Sequence, residues 1–274
     1  MWRDVRAELA KQAYRPASWL LLAIGVVLSA TFAHAVPYAG YRGAASGAPG
    51  AGRGLAEMLP AQFAGNAIAG TPVFVGALAL IFGVLVAGGE YGYATWKTVL
   101  VQQPSRATVY TAKLVTVAVG ALLLVLALLA VSAAASAVIA ALEDQPGGWP
   151  SGTAVLRGAG AGWLVTTMWG TLGVLLAVAL RSVALPVGLG LVWLLAVQNL
   201  LAAIAAPLLD WVAALQKGLP GANAGSLVAA LGAPTGTPGV APLVGAGQAA
   251  LVVAGYLAGF ALLAGWLLRA RDLD

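Results

Sequence analysis

Six stretches of this chain are each about as long as a bilayer-crossing helix and almost free of charge. A hydrocarbon core about 30 Å thick takes roughly 20 helical residues. Ala17 to Val36, Thr71 to Gly88, Lys113 to Leu142, Arg157 to Leu180, Ala184 to Leu209 and Val244 to Leu268 approach or exceed that length. The second extends back to give 66–88 if Asn66 is admitted, and the third is long enough to require tilt or protrusion. Only 8% of the 274 residues are charged, against roughly 25% in a soluble domain. With a mean hydropathy of +0.92 there is too little polar sequence to coat a water-soluble globule. The expected fold is therefore an all-α integral membrane protein with about six transmembrane helices in a single domain over 17–274. The first apolar run follows sixteen other residues and precedes five more such runs, so it reads as a retained span and not a cleaved signal peptide.

Charge placement orients the spans. With six of them, both termini share a side, and the segments there carry ten of the 14 Lys and Arg, among them Arg3, Arg6, Lys97, Arg106 and Arg269. The other side has Arg42, Arg53, Arg157 and Lys217. The positive-inside rule then puts both termini in the cytoplasm, in a multi-pass protein of the cytoplasmic membrane. Scattered in ones and twos, the cations form no basic stripe of the kind that binds nucleic acid.

Catalytic chemistry finds little to work with. There is no cysteine, and His34 is the one histidine, expected near a membrane face. A catalytic triad or a multi-histidine metal site has too few members, so no catalytic and no metal residues are assigned. Glu143-Asp144 reads as a solvated turn rather than an acid pair in a span.

Ahead of the first span, 1–16 reads as a short interfacial helix ended by Pro16. Trp2, Val5, Leu9 and Ala13 share one face, and Asp4, Glu8, Lys11 and Arg15 lie largely opposite. A solvated basic tail is the alternative. Ala39 to Gly54 reads as a flexible loop, and the external segment 210–243 contains two candidate short helices, Asp210 to Lys217 and Ser226 to Leu231.

The most informative segment is 89–112, the only sizeable loop expected in the cytoplasm. It brings Glu90, Lys97 and Arg106 together, with Lys113 at the start of the third span. Tyr91 to Leu100 can form a surface helix with Glu90 near its positive end, and Ser105 can cap the next helix. Glu90, Thr95, Lys97, Leu100, Pro104, Ser105, Arg106 and Lys113, in this spacing after a span, resemble the cytoplasmic coupling loop of bacterial export-type (type 2) ATP-binding-cassette permeases; Tyr91 is grouped with them. Ala94 stands where that family commonly has glycine. The resemblance implies an ATP-driven exporter in which two permeases pair, as a homodimer or with a related chain, and each docks on a separate ATPase subunit. ATP and Mg are then expected on that partner and no cofactor on this chain, which lacks the Gly-x-x-x-x-Gly-Lys-Ser/Thr phosphate loop.

Within the spans, Thr166, Thr167, Gln198 and Asn199 are candidate substrate-path residues, with interhelical hydrogen bonding as the plainer alternative. Gly158-x-x-x-Gly162 and Gly255-x-x-x-Gly259 suit close helix packing or dimerisation. Sparse intramembrane charge points away from ion pathways and toward a lipid-like, amphipathic or peptide cargo. An ATP-independent secondary transporter or channel, a membrane-embedded enzyme, and a non-transporting membrane or immunity protein on the same fold are the competing readings.

Overall fold

The structure is a computed structural model that describes residues 1–43, 52–92, 105–205 and 208–270. Among the described residues all regular structure is helical. Helix α1, Trp2–Ala13, precedes α2, Pro16–Tyr41; α3 is the short Phe63–Ile68; α4 is Phe74–Gly92, α5 Arg106–Leu142 and α6 Gly152–Leu180. Then come α7, Ala184–Leu200, the short α8, Asp210–Gln216, and α9, Pro220–Ala229, and finally α10, Ala246–Ala270.

Five of these, α2, α4, α5, α6 and α10, are long and apolar enough to cross a membrane. The protein is a multi-pass membrane protein. The stretch expected as a fifth span is a shorter apolar helix, Ala184–Leu200, interrupted by a π-helical segment at Val192–Val197 and followed by another at Leu201–Ala205. Nor is 66–88 one helix: Gly70, Thr71 and Pro72 fall in a turn that divides α3 from α4, because Pro72 supplies no backbone N–H to a helix continuing through it. By contrast α5 starts at Arg106 and takes in residues expected in the loop. Its 37 residues amount to about 55 Å, well beyond one hydrocarbon thickness.

Local chemistry sets the helix ends. The Ser105 hydroxyl accepts the Thr108 N–H at 3.1 Å, and Ser151 does the same for Ala154 at 3.3 Å, capping α5 and α6. In α2 the π-helical segment Ala30–Ala35 ends just before Pro37. Pro37 has no N–H for the Ala33 carbonyl four residues back, and Arg53 donates to that carbonyl at 3.1 Å instead. The same guanidinium reaches Asn66 Oδ1 at 2.7 Å and the Glu57 backbone oxygen at 3.0 Å. At this end of the bundle the segment expected as flexible thus contains an anchor. Arg53→Ala strands two partly buried acceptors and is expected to cost about 2–4 kcal/mol, seen as a lower unfolding midpoint in detergent; Arg53→Lys, lacking the planar fork, should recover less than half of the loss.

The core lies where α4 crosses α6, around the fully buried Trp169, Met168, Leu80 and Val84. A Cβ on Gly83 would overlap the Gly170 carbonyl oxygen, and one on Gly173 would overlap the Leu80 carbonyl oxygen, so the two backbones touch directly. In a bilayer such close approach replaces the hydrophobic effect as the force between helices. Gly162 packs against Ile68 and Val125 within the chain. Gly255 and Gly259 instead face open space on α10, whose apolar window is only 17% buried; that of α2 is 11% buried.

Candidate functional site

At the end of the bundle where α1 lies, four charged side chains meet under cover. Lys113, eight residues into α5, is 1% exposed. Its ammonium has three protons to place, and the acceptors around it include the Val86 carbonyl at 2.9 Å, Glu90 Oε1 at 3.2 Å and Glu8 Oε2 at 3.4 Å. Lys11 donates to Glu8 Oε1 at 2.8 Å and to Glu90 Oε1 at 2.9 Å. Two carboxylates and two ammonium groups thus alternate across α1, α4 and α5.

An isolated charge held this deep would cost several kcal/mol, so the four are interdependent. Lys11, half-buried, shows the balance: burial pulls its pKa down, but the hydrogen bonds and negative charges of Glu8 and Glu90 outweigh this and raise it. A raised lysine keeps its ion pairs through neutral pH and loses them only as pH climbs through the folded-state value. Beside the cluster, Arg15 donates to the Leu85 carbonyl at 3.0 Å.

This arrangement turns the charged face of α1 toward the bundle. Asp4, Val5, Glu8 and Gln12 are its buried residues, while Trp2 and Tyr14 are exposed. The acidic face turns toward the bundle because Lys113 waits there, and partner charge outweighs hydrophobic patterning. A lysine inside an otherwise apolar helix demands a partner, and that was the signal from which Glu8 could have been found.

The cluster also brackets the loop singled out in the sequence. Glu90 and Tyr91 lie in the last turn of α4, and Ser105, Arg106 and Lys113 lie at the start of α5. Thr95, Lys97, Leu100 and Pro104 fall outside the described residues. Arg106 reaches the Leu268 carbonyl at 3.4 Å, and the Tyr110 hydroxyl donates to the Ala261 carbonyl, so α10 ends here as well. Helix α1, the end of α4, the start of α5 and the last turns of α10 therefore share one end of the bundle.

No family model matches this chain, and no curated protein does. What it does must be argued from its own geometry.

The four candidate path residues do not converge on one site. Thr166 lines a cavity of about 380 Å³ between α1, α2, α4, α5 and α6, while Gln198 and Asn199 line a smaller one of about 130 Å³ beside α9. Thr167 is buried and lines neither. The Thr166 hydroxyl donates to the Gly162 carbonyl at 2.6 Å and the Asn199 amide to the Leu195 carbonyl at 2.9 Å, each one turn back in its own helix and not between helices.

His34 is 2% exposed, inside the bundle. Ser132 donates to the Phe63 carbonyl at 2.8 Å, so the 2.8 Å contact between His34 Nε2 and Ser132 Oγ has the imidazole as donor. A neutral ring protonated at Nε2 satisfies that chain. Among the described residues no group of acidic or histidine side chains is arranged to hold a metal ion.

Proposed function

We propose that this chain is the membrane-spanning permease subunit of an ATP-binding-cassette exporter, driven by a separate cytoplasmic ATPase. The reading rests on the resemblance of the Glu90 to Lys113 segment to an export-type coupling loop. The observation that carries it furthest is the charge cluster. Glu90 and Lys113, the two flanks of that segment, are tied to each other and to Glu8 and Lys11 of α1. A push on the loop from the cytoplasm then reaches three helices together, because none of the four charges can be left behind without its partners.

In this reading α7 and the helical turns after it form a sixth crossing, both termini are cytoplasmic, and the membrane is the cytoplasmic one. Ten of 14 cations then fall on the inner side. Two permeases pair across outward faces left unpacked in the single chain, those of α2 or α10. Closure of the ATPase pair on ATP shifts each permease between inward-facing and outward-facing states. Such a switch needs differential contacts in the two states, and the loop supplies them.

The reading predicts that Arg106→Ala leaves the folded protein intact but uncouples it. In proteoliposomes holding permease and ATPase, the rate of ATP hydrolysis should lose its dependence on the permease. Unaltered coupling in both Arg106→Ala and Glu90→Gln would sink the reading.

A further inference from the structure

The 380 Å³ cavity falls within the range of about 300–1,000 Å³ typical of small-molecule sites. Its walls are almost wholly apolar, and the exposed side chains of Trp19 and Leu123 lie on its rim, so it opens on the outer flank of the bundle, toward lipid. Along α5 it runs from Thr116 to Leu124, about 12 Å at 1.5 Å per residue. That is close to the depth of one leaflet, half of an approximately 30 Å hydrocarbon core.

Hydrogen-bond accounting says what enters. Five polar side chains line the cavity: Gln12, Ser18, Trp19, Thr116 and Thr166. Four have placed their protons: Ser18 on Gln12 Oε1, Trp19 on the Ala13 carbonyl, Thr116 on Ala112 and Thr166 on Gly162. Gln12 is 6% exposed, and its Nε2 is buried with no acceptor. A donor left unpaired in apolar surroundings is destabilising. The ligand must therefore offer an oxygen acceptor at the α1 end and hydrocarbon below it.

We propose that the cavity holds one acyl chain of a bilayer glycerophospholipid from the leaflet on the α1 side, with the ester carbonyl accepting from Gln12 Nε2. The ester belongs at the boundary of the hydrocarbon, where α1 meets α2. Arg3 and Arg6 on α1 are exposed cations on the same helix as Gln12. This site requires only that the bundle sits in a membrane, and stands whether or not the protein is an exporter. A lipid seated there contacts α1, α2, α4, α5 and α6 together, so it fills the space beneath the charge cluster.

The experiment reconstitutes the full chain in phosphatidylcholine vesicles doped with a phosphatidylcholine carrying a photoactivatable diazirine in its sn-2 chain, then maps adducts after irradiation. Labelling per residue over 18–22 and 116–124 should exceed that at Leu251 and Leu262 on the outward face of α10 by about fivefold. Ala13→Phe, which fills the exposed mouth of the cavity, should remove the excess and leave the α10 adducts unchanged. Gln12→Leu, similar in size but without the donor, should lower it about threefold. Unchanged α10 labelling reports that each variant is folded and inserted. Equal labelling of both faces, protection of the cavity face by another protein segment, or an excess untouched by both variants would overturn the proposal.

Discussion

Lys113→Met is expected to destabilise the protein by about 3–5 kcal/mol, because it removes the central cation from beneath Glu8 and Glu90 and leaves the carboxylates crowded around Lys11. Methionine keeps most of the length and volume of lysine, so the loss reports charge and not packing. The decisive variant is the double substitution Lys113→Met with Glu90→Gln. It restores one carboxylate to one ammonium within the four-residue cluster, and the pair should cost less than the two singles summed by about 1–3 kcal/mol. Unfolding midpoints in detergent for the four proteins of this cycle give the answer. Simple additivity would mean that Lys113 and Glu90 do not act together, despite their 3.2 Å separation.

Gly173→Val should be more severe, preventing recovery of folded protein. At this position the obstacle is the Leu80 carbonyl oxygen on α4, a backbone atom that cannot swing aside as a side chain would. Valine would force α4 and α6 apart along the crossing that buries Trp169 and Met168, at a cost above the usual 1–3 kcal/mol of overpacking. The matched control is Gly255→Val on the open face of α10, expected to change stability by no more than about 0.5 kcal/mol. Monodisperse elution and thermal unfolding distinguish the two. Equal yields and midpoints would show that the α4–α6 contact is not close.

These two sites mark the limits of what sequence alone discloses. The spans were legible because bilayer thickness imposes a length on apolar runs, and five of the six emerge as long apolar helices. What fails is the continuity of some runs. Pro72 breaks the extension through Asn66, and the π-helical turns after Leu191 carry no local mark in the sequence. The close-contact glycines were legible only in part for a related reason. Gly255-x-x-x-Gly259 has the familiar spacing but faces outward, whereas Gly83, Gly170 and Gly173 matter through partners on another helix. A one-helix pattern cannot express a two-helix contact.

The candidate site was half legible. Glu90, Arg106 and Lys113 stood out as charges around a loop, and Ser105 caps α5 as its position suggested. Glu8 and Lys11 were given to solvent, since amphipathic reading assigns charges to water unless a buried partner is known. Arg53 was hidden likewise, in a glycine-rich stretch whose composition speaks only for a loop, although a freed carbonyl at Ala33 lies within its reach.

The central claim is that loop 89–112 transmits force from an ATPase. The most direct measurement places a photo-crosslinking amino acid at Lys97 in the intact protein, irradiates native membranes with and without ATP, and identifies the captured chain. The account predicts a nucleotide-binding subunit bearing a phosphate loop, captured in a yield that changes with ATP and falls when Glu90 is replaced by glutamine. Capture of lipid alone, or of no ATP-binding chain under either condition, would contradict it.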